Sequence, residues 1–184
     1  MHGLKLTMLM NRKLLILLVL PLLVCLYSCN PQKRMARKQH TYMESAYKTL
    51  KDAVNEAEVT ILNDTVKVLF PEHLLFQKNS SSINEATYPL MQRFAKALNQ
   101  YTKTSILING YTDKTGGDDL NEKLSQNRAD SAKSLLANFT VVKERMYTWG
   151  LGSAAPIGDN STEEGRRRNR RVEFVILYNY EPSK

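Results

Sequence analysis

The fold of this chain is decided by residues 105–139, SILINGYTDKTGGDDLNEKLSQNRADSAKSLLANF. The stretch begins with a short, nearly all-apolar run, Ser105–Asn109, of the kind found in central strands that are buried on both faces. A polar loop follows from Gly110 to Asp118, and a helix is predicted from about Asp119 to about Phe139, with Asp119 and Glu122 as a capping pair. A buried strand that leads through a loop into a long helix indicates an α/β fold.

One position of this predicted helix is unusual. Its apolar stripe is formed by Leu120, Leu124, Ala132, Leu135, Leu136 and Phe139. Arg128 lies in register with that stripe, and a guanidinium on an inward face requires a carboxylate partner because an unpaired buried charge is too costly. Asp113 lies just past the carboxyl end of the strand, where ligands of α/β sheets bind. We therefore predict that Asp113 and Arg128 form a binding site; the alternative is an internal salt bridge that only closes the fold.

More strands are predicted on both sides of this stretch. Val59–Leu62 and Thr65–Phe70 are β-rich, and the intervening Asn63-Asp64 pair indicates a tight hairpin or a bulge. Two further strands are predicted at Met146–Leu151 and Val172–Tyr178.

Another helix is predicted after the polar patch Asn79–Ser82. Its apolar face consists of Leu90, Phe94, Ala97, Leu98 and Tyr101. Ser82 and Glu85 have the spacing of a capping box, but Pro89 is incompatible with an uninterrupted helix, so the helix either kinks there or begins near Pro89. Together these elements predict a two-layer α/β sandwich with helices on one face of one mixed sheet.

The N-terminal residues have the order of an export signal. Lys5, Arg12 and Lys13 precede the apolar run Leu14–Leu26, which is too short to cross a bilayer as a helix. The run ends in Leu26-Tyr27-Ser28-Cys29, which resembles the lipobox of bacterial lipoproteins. That resemblance implies cleavage before Cys29 and lipidation of its thiol, so that a membrane becomes a partner through the lipid anchor.

The domain organisation follows from this interpretation. We expect a signal peptide at residues 1–28, a lipidated cysteine with a basic and helical tether at residues 29–56, and a folded domain at residues 57–184. The tether helix is predicted over Tyr42–Ala57 from its apolar spacing. The alternative is an uncleaved hydrophobic anchor in which Cys25 and Cys29 stay unmodified.

The chain has 184 residues and a net charge of +8, and the excess of positive charge is concentrated in two segments, Lys33–Lys38 and Arg166–Arg171. Nucleic-acid-binding proteins spread Lys and Arg over a face and interleave aromatic residues, so no nucleic-acid partner is expected. The first segment fits a membrane-facing tether or a solvated linker. The second fits structural contacts at a sheet edge, with Arg171 as a candidate at the binding site.

Nothing in the sequence supports catalysis or a bound cofactor. None of the three histidines has a nucleophile motif or metal-ligand spacing around it. No glycine-rich phosphate loop occurs. The spacing of Asp113, Asp118 and Asp119 does not match the alternating ligands of an EF-hand. We therefore expect a binding protein rather than an enzyme.

Several ordered motifs together resemble one known family. The motifs are Asn109-Gly110-Tyr111-Thr112-Asp113; Asn121 with Leu124, Ser125, Arg128 and Ala129; Trp149-Gly150-Leu151-Gly152 with Pro156; and Asn160, Gly165-Arg166 and Asn169-Arg170-Arg171-Val172-Glu173. In this order and at these separations they are similar to the OmpA-like peptidoglycan-binding domain. This family includes the C-terminal domains of OmpA and MotB and the peptidoglycan-associated lipoprotein. The resemblance covers about residues 66–178.

The resemblance implies that the domain binds peptidoglycan through the diaminopimelate residue of the stem peptide, with Asp113 and Arg128 holding that residue. The diaminopimelate side chain ends in a zwitterion, so an acid can take its ammonium and an arginine fork can take its carboxylate. Further site residues implied by the same matching are Thr112, Asn121, Leu124, Phe76 and Asn79. In the family's first loop, near which Asn79 lies, Gln77 and Lys78 replace residues that are often acidic in the family.

Lipobox and family resemblance together predict a lipoprotein of the outer membrane that faces the periplasm and ties the membrane to the cell wall. The alternative is a docking module for another envelope protein complex, with a vestigial wall site.

Overall fold

The computed structural model describes residues 31–181, which form one five-stranded sheet and five α-helices. The helices are α1 (Pro31–Ala53), α2 (Glu72–Leu75), α3 (Tyr88–Gln100), α4 (Asp118–Asn138) and α5 (Glu163–Asn169). The strands are β1 (Glu58–Leu62), β2 (Thr65–Pro71), β3 (Thr104–Tyr111), β4 (Met146–Gly150) and β5 (Arg171–Tyr178). Short 3-10 turns occur at Glu85–Thr87 and Lys143–Arg145.

Contacts divide the chain into a unit that ends at His40 and a unit that begins at Thr41. The described part of the first unit is the beginning of α1, and the features below belong to the second. None of the helices within residues 31–181 has the length and apolar character that a membrane span needs.

The sheet is mixed, as predicted, with the strand order β1-β2-β5-β3-β4. Strands β3 and β4 are parallel and are joined by a crossover that contains α4, whereas all other neighbours are antiparallel. The β1–β2 hairpin turns on Asn63 and Asp64, whose φ angles are 49° and 59°. Two successive positive φ angles are typical of a type I′ turn, so the tight-hairpin prediction is confirmed.

One face of the sheet carries the core. Phe70 of β2, Phe94 of α3 and Phe174 of β5 meet edge to face, with ring centroids 5.0 to 5.5 Å apart. Such aromatic pairs add to the hydrophobic gain, which is about 1.5–3 kcal/mol for each large buried side chain. This core fixes α3 on the same side of the sheet as α4.

The region predicted as a tether contributes to the core. Helix α1 ends at Ala53 rather than Ala57, and its Met43 and Leu50 are buried among the core side chains together with Val54. The folded unit therefore begins well before residue 57. The apolar face of this segment, formed by Met43, Ala46, Leu50 and Val54, lacks the exposure that it would have in a free spacer.

Both predicted capping boxes are wrong. Asn84, not Ser82, caps the 3-10 turn at Glu85–Thr87 by accepting a hydrogen bond from the Ala86 amide at 3.1 Å. Helix α3 begins at Tyr88 with Pro89 in its first turn. This confirms the alternative in which the helix begins near Pro89 rather than kinking there. Helix α4 begins at Asp118 behind Gly117 without a side-chain cap. Leu120 is 71% exposed, so it does not belong to the buried stripe.

The strand register sets up the site. At one end of the sheet Pro71 of β2, Arg171 of β5 and Tyr111 of β3 lie side by side. The residues next to these positions, Glu72, Arg170 and Thr112, therefore lie together at this end of the sheet. The Glu72 amide donates to the Arg170 carbonyl at 3.0 Å, which holds two of these segments together.

Helix α4 packs directly against this end of the sheet, because Gly110 and Gly150 have no Cβ atom that would clash with its backbone. A Cβ atom at Gly110 would lie 2.1 Å from the Ser125 carbonyl oxygen, and one at Gly150 would lie 2.5 Å from the Gln126 amide nitrogen. Real Cβ atoms do not approach other atoms so closely. The close approach brings the inward stripe of α4 against the loop that follows β3.

Candidate functional site

A cavity of about 1030 Å³ opens at this end of the sheet. Its lining has three acidic and five basic side chains, together with neutral and apolar ones. The lining residues are Glu72, His73, Phe76, Lys78, Asn79, Thr112, Asp113, Thr115, Asn121, Leu124, Arg128, Glu163, Arg166, Arg167 and Arg170. The chain thus brings to one cavity seven of the eight residues predicted for the binding site.

Arg128 forms part of the cavity wall and is only 2% exposed. Its Nη2 contacts Glu72 Oε1 at 2.5 Å, and its Nε donates to the Ser80 carbonyl at 3.1 Å. The guanidinium also lies 5.5 Å from the centroid of the Phe76 ring. Burial lowers the pKa of Arg128 from its ordinary value, and the Glu72 carboxylate opposes that shift. Within residues 31–181, no hydrogen bond uses Arg128 Nη1, so this donor is available to a ligand.

Asp113 is 7% exposed and its two carboxylate oxygens have different partners. Oδ1 accepts from the Thr115 amide at 2.8 Å, and Oδ2 accepts from Arg170 Nη1 at 2.6 Å. Burial alone would raise the pKa of Asp113, but the hydrogen bonds from Arg170 and Thr115 outweigh it and hold the pKa below its ordinary value. Asp113 is therefore a carboxylate at neutral pH.

Asp113 and Arg128 share the cavity, but they do not form an ion pair with each other in the part of the chain that the structure describes. The alternative of an internal salt bridge between Asp113 and Arg128 is therefore wrong, because the carboxylate that pairs with Arg128 belongs to Glu72. Arg170 completes the network, with Nε 3.0 Å from Glu72 Oε2 and Nη2 3.0 Å from Glu163 Oε1. The four charges at the centre thus form the chain Arg128, Glu72, Arg170, Asp113. Strand register explains this arrangement, because it places Glu72 and Arg170 between the two predicted residues.

Thr112 has the most telling environment of the remaining predicted residues. It is 5% exposed, and its Oγ1 is buried without a hydrogen-bond partner within residues 31–181. A buried hydroxyl without a partner is costly unless another molecule supplies one. Its position in the cavity lining therefore points to a polar ligand.

Asn121 and Leu124 lie on the first turns of α4 that face the cavity. The Asn121 Nδ2 donates to the carbonyls of Asp113 at 3.4 Å and Thr115 at 3.1 Å. It therefore positions the loop that carries Asp113. Leu124 is half-buried and supplies an apolar part of the wall.

The first loop of the domain, residues 76–83, closes the side of the cavity opposite α4. Phe76 forms a β-bridge with Ile83, which ties the two ends of the loop together. Asn79 lies at the exposed rim with a positive φ of 55°, a conformation that asparagine tolerates better than most residues. Lys78, which departs from the family pattern, adds a positive charge to the same rim.

The candidate role of Arg171 differs from the prediction, because its side chain does not line the cavity. Its guanidinium lies 3.7 Å from the Tyr111 ring centroid, and its Nε donates to Glu173 Oε1 at 2.7 Å. Successive residues of an extended segment point in opposite directions, so the preceding Arg170 faces the cavity instead. Arg171 is 2% exposed and supports the sheet.

Sequence reasoning missed Glu72 and Arg170. Arg170 lies within the last recognised motif, so the motif marked the segment but the neighbouring arginine was chosen. Glu72 follows the end of β2, and no spacing relates it to Arg128, which is 56 residues away. Cys29, the predicted lipid acceptor, lies outside the described residues.

The arrangement suits a ligand that carries both charges and is anionic overall, because bases outnumber acids in the lining. Among residues 31–181, no group of three or more His, Cys, Asp or Glu side chains could hold a metal ion. The available chemistry is ionic and hydrogen-bond recognition.

Comparison with known proteins gives relatives for both sequence and fold. Probable lipoprotein YiaD of Escherichia coli K12 is 39% identical over 137 residues, which cover 73% of this chain and 63% of YiaD. The chain spans less than a third of several other curated relatives.

Two solved structures share both the fold and part of the sequence. The cell wall anchor of the T6SS from Pseudomonas aeruginosa has a TM-score of 0.65 at 31% identity, over 72% of this chain and 96% of that one. The peptidoglycan-associated lipoprotein from Burkholderia pseudomallei has a TM-score of 0.52 at 29% identity, over 56% and 87% of the two chains.

A protein-family model matches residues 75–170, which is more than half of the chain. The matched range includes β3, α4, β4 and every lining residue of the cavity except Glu72 and His73. It includes the motifs around Asp113, Arg128 and Arg170 and confirms the fold inferred from them. The family is non-enzymatic. This chain belongs to the OmpA family.

Proposed function

We propose that this protein binds peptidoglycan non-covalently through the diaminopimelate residue of the stem peptide and ties the bacterial outer membrane to the cell wall. The observation that carries the proposal is the cavity itself. It combines a carboxylate at Asp113, a buried guanidinium at Arg128 with an unused donor, and the unpaired hydroxyl of Thr112. These groups are complementary to an amino-acid end that carries an ammonium and a carboxylate.

The names of the relatives agree with this proposal. One solved neighbour is a peptidoglycan-associated lipoprotein, another is a cell wall anchor, and YiaD is a probable lipoprotein. A wall-binding domain on a lipid anchor would combine these properties.

The proposed mode of binding uses the charge network. The ligand carboxylate approaches Arg128 Nη1, and the ligand ammonium approaches Asp113 beside its bond to Arg170. Glu72 and Arg170 already hold both partners in place, so little side-chain entropy is lost when the ligand binds. Thr112 Oγ1 then gains its missing hydrogen bond.

Affinity for one stem peptide is expected to be modest, since a single zwitterion contact gives a dissociation constant of about 1 μM to 1 mM. Many anchored copies face a polymer with many stem peptides. Multivalent attachment therefore provides the strength of the link.

Anchoring is proposed to depend on Cys29. Cleavage before this residue and acylation of its thiol would attach the mature chain to the outer membrane, with the folded unit in the periplasm. The basic residues that follow, Lys33 to Lys38, would then lie next to lipid headgroups.

Retention on purified sacculi tests the wall-binding function. We expect Asp113→Ala and Arg128→Ala to lose retention, and Arg128→Lys also to fail because an ammonium cannot reproduce the guanidinium fork. Arg168→Ala is the matched control, because Arg168 is exposed on α5 and does not line the cavity. Since Arg128 also holds Ser80, each variant is first checked for unchanged cooperative unfolding. Full retention by folded Asp113→Ala and Arg128→Ala would refute the proposal.

A further inference from the structure

A second depression lies beside the cavity, on the other side of the first loop. This groove has a volume of about 510 Å³. Ser81 belongs to its lining, whereas Asn79 belongs to the cavity. The Ser80 carbonyl between them accepts the hydrogen bond from Arg128. The two depressions therefore share the loop as a common wall.

Helix α4 contributes to both depressions. Leu124 and Arg128 face the cavity, whereas Asn127, Ser131 and Ser134 face the groove. Leu124 and Arg128 are four positions apart, as are Asn127 and Ser131, so each pair follows one stripe and the two stripes are adjacent on the helix surface. A ligand bound at Arg128 needs to extend only a few ångströms to reach the groove.

The groove differs from the cavity in chemistry. Among residues 31–181 no Lys or Arg lines it, and Asp130 is its only charged side chain. No hydrogen bond within the described residues uses the side chains of Asn127, Ser131 or Ser134, so these amide and hydroxyl groups are available. The lining is thus suited to an uncharged ligand with many hydroxyl and amide groups.

The groove also offers an aromatic surface. Tyr88 is 43% exposed at its edge. Its ring packs edge to face against Phe139, with centroids 6.2 Å apart, which fixes its orientation. A ring held in this way can contact the apolar face of a sugar, while the hydroxyl and amide side chains form hydrogen bonds with the hydroxyl groups of the same sugar.

We propose that this groove binds the glycan strand of peptidoglycan, and the inference rests on the proposed function of the neighbouring cavity. In peptidoglycan the stem peptide carries the charges and the glycan chain to which it is joined is uncharged, which matches the division between cavity and groove. Two residues and a lactyl group separate diaminopimelate from the sugar. Two extended residues span about 7 Å, whereas Ser131 lies about 4.5 Å beyond Arg128 along α4.

The test compares two ligands on the full-length protein by titration calorimetry. One is the tripeptide L-alanyl-γ-D-glutamyl-meso-diaminopimelate, and the other is the same tripeptide joined to the N-acetylglucosamine and N-acetylmuramic acid disaccharide. We expect the disaccharide to strengthen binding about five- to tenfold, as a few additional hydrogen bonds would. The double variant Asn127→Ala/Ser131→Ala should lose this gain and keep its affinity for the tripeptide.

Gln92→Ala is the matched control. It removes an exposed amide from α3 that lines neither depression, so the gain from the disaccharide should persist. NMR provides a second measurement. The amide signals of Tyr88, Ser131, Ser134 and Asn138, which line the groove and not the cavity, should shift with the disaccharide-containing ligand but not with the tripeptide.

The outcomes separate the two proposals. Equal binding of the two ligands by the unaltered protein, or a gain that survives in the double variant, overturns the glycan groove and leaves the wall-binding function intact. Failure of the unaltered protein to bind either ligand overturns both.

Discussion

Thr112 gives the clearest view of ligand recognition at the scale of a single residue. Its buried Oγ1 has no hydrogen-bond partner in the described residues, so folding alone gives no reason for a hydroxyl there. We expect Thr112→Val to weaken binding of the stem tripeptide about three- to tenfold, which corresponds to one hydrogen bond. The free energy of unfolding should be unchanged or higher, because an unsatisfied buried group is removed. Calorimetric titration and urea denaturation measure the two quantities.

Thr87 provides the control for this variant. Its Oγ1 is also buried without a partner in the described residues, but it does not line the cavity. Thr87→Val should leave tripeptide binding unchanged. Similar losses of affinity in Thr87→Val and Thr112→Val would show that the effect on binding comes from the fold and not from the site.

Asp113 predicts a pH dependence of stability. Its pKa is lower in the folded protein than its ordinary value, so its ion pair with Arg170 stabilises the fold fully above about pH 4. That contribution is lost as the pH falls through the lowered pKa. Asp113→Asn should therefore be less stable than the unaltered protein at pH 7, and the difference should shrink toward pH 2.

Urea denaturation between pH 7 and pH 2 measures this difference. Asp52→Asn is the control, because Asp52 is exposed on α1. A difference between Asp113→Asn and the unaltered protein that stays constant over the whole range would contradict the proposed role of the Asp113–Arg170 pair.

Sequence periodicity revealed Arg128 but not its partner. Its register with the leucines of α4 correctly indicated an inward guanidinium, which is 2% exposed. The partner could not be read in the same way, because Glu72 reaches Arg128 only through the pairing of β2 with β5 and β5 with β3. The same register separates Arg170 from Arg171, and a run of arginines carries no signal that distinguishes them.

The contact between β3 and α4 is the element-scale feature on which the site depends. Gly110 lets the helix backbone approach the strand, and α4 carries Asn121, Leu124 and Arg128 into the cavity. We expect Gly110→Ala to lower the free energy of unfolding by about 2–4 kcal/mol, because the new methyl group meets backbone atoms. Tripeptide affinity should fall as well, since α4 must shift relative to Asp113. Urea denaturation and calorimetry measure these changes.

Gly117→Ala is the matched glycine control. No atom lies within 4 Å of the position that its Cβ would occupy, and its φ of −84° suits any residue. Affinity should be retained in this variant, and the free energy of unfolding should fall by no more than about 1 kcal/mol, because alanine is a poorer N-cap residue than glycine. Equal losses in Gly110→Ala and Gly117→Ala would contradict the close-packing account.

Helix ends were harder to predict than helix faces. The apolar stripe of α3 placed Phe94 and Leu98 correctly in the core, because burial selects for periodicity along the whole helix. The capping motifs failed, since a Ser or Asp followed three residues later by Glu also occurs by chance in polar loops. The prediction missed the part of helix α1 before Tyr42, because that part is mostly polar and apolar periodicity cannot detect a polar helix.

At the scale of the whole molecule, the proposed function needs two independent attachments, a lipid on Cys29 and the cavity of the folded unit. Cys29→Ser should abolish incorporation of labelled palmitate and release the protein from the outer-membrane fraction, because acyl chains supply the membrane affinity. Sacculus binding by the purified variant should be retained. Cys25→Ser is the control and should keep both lipid and location. Lipid incorporation by Cys29→Ser would contradict the assignment of the acceptor.

The central claim is that the cavity recognises the zwitterionic end of diaminopimelate, and one calorimetric comparison tests it most directly. The full-length protein is titrated with L-alanyl-γ-D-glutamyl-meso-diaminopimelate and with the same peptide in which L-lysine replaces diaminopimelate. Lysine lacks only the carboxylate at the end of the diaminopimelate side chain. We expect the lysine peptide to bind at least about tenfold more weakly, because it has no side-chain carboxylate to accept a hydrogen bond from Arg128 Nη1. Equal affinity for the two peptides would contradict the account.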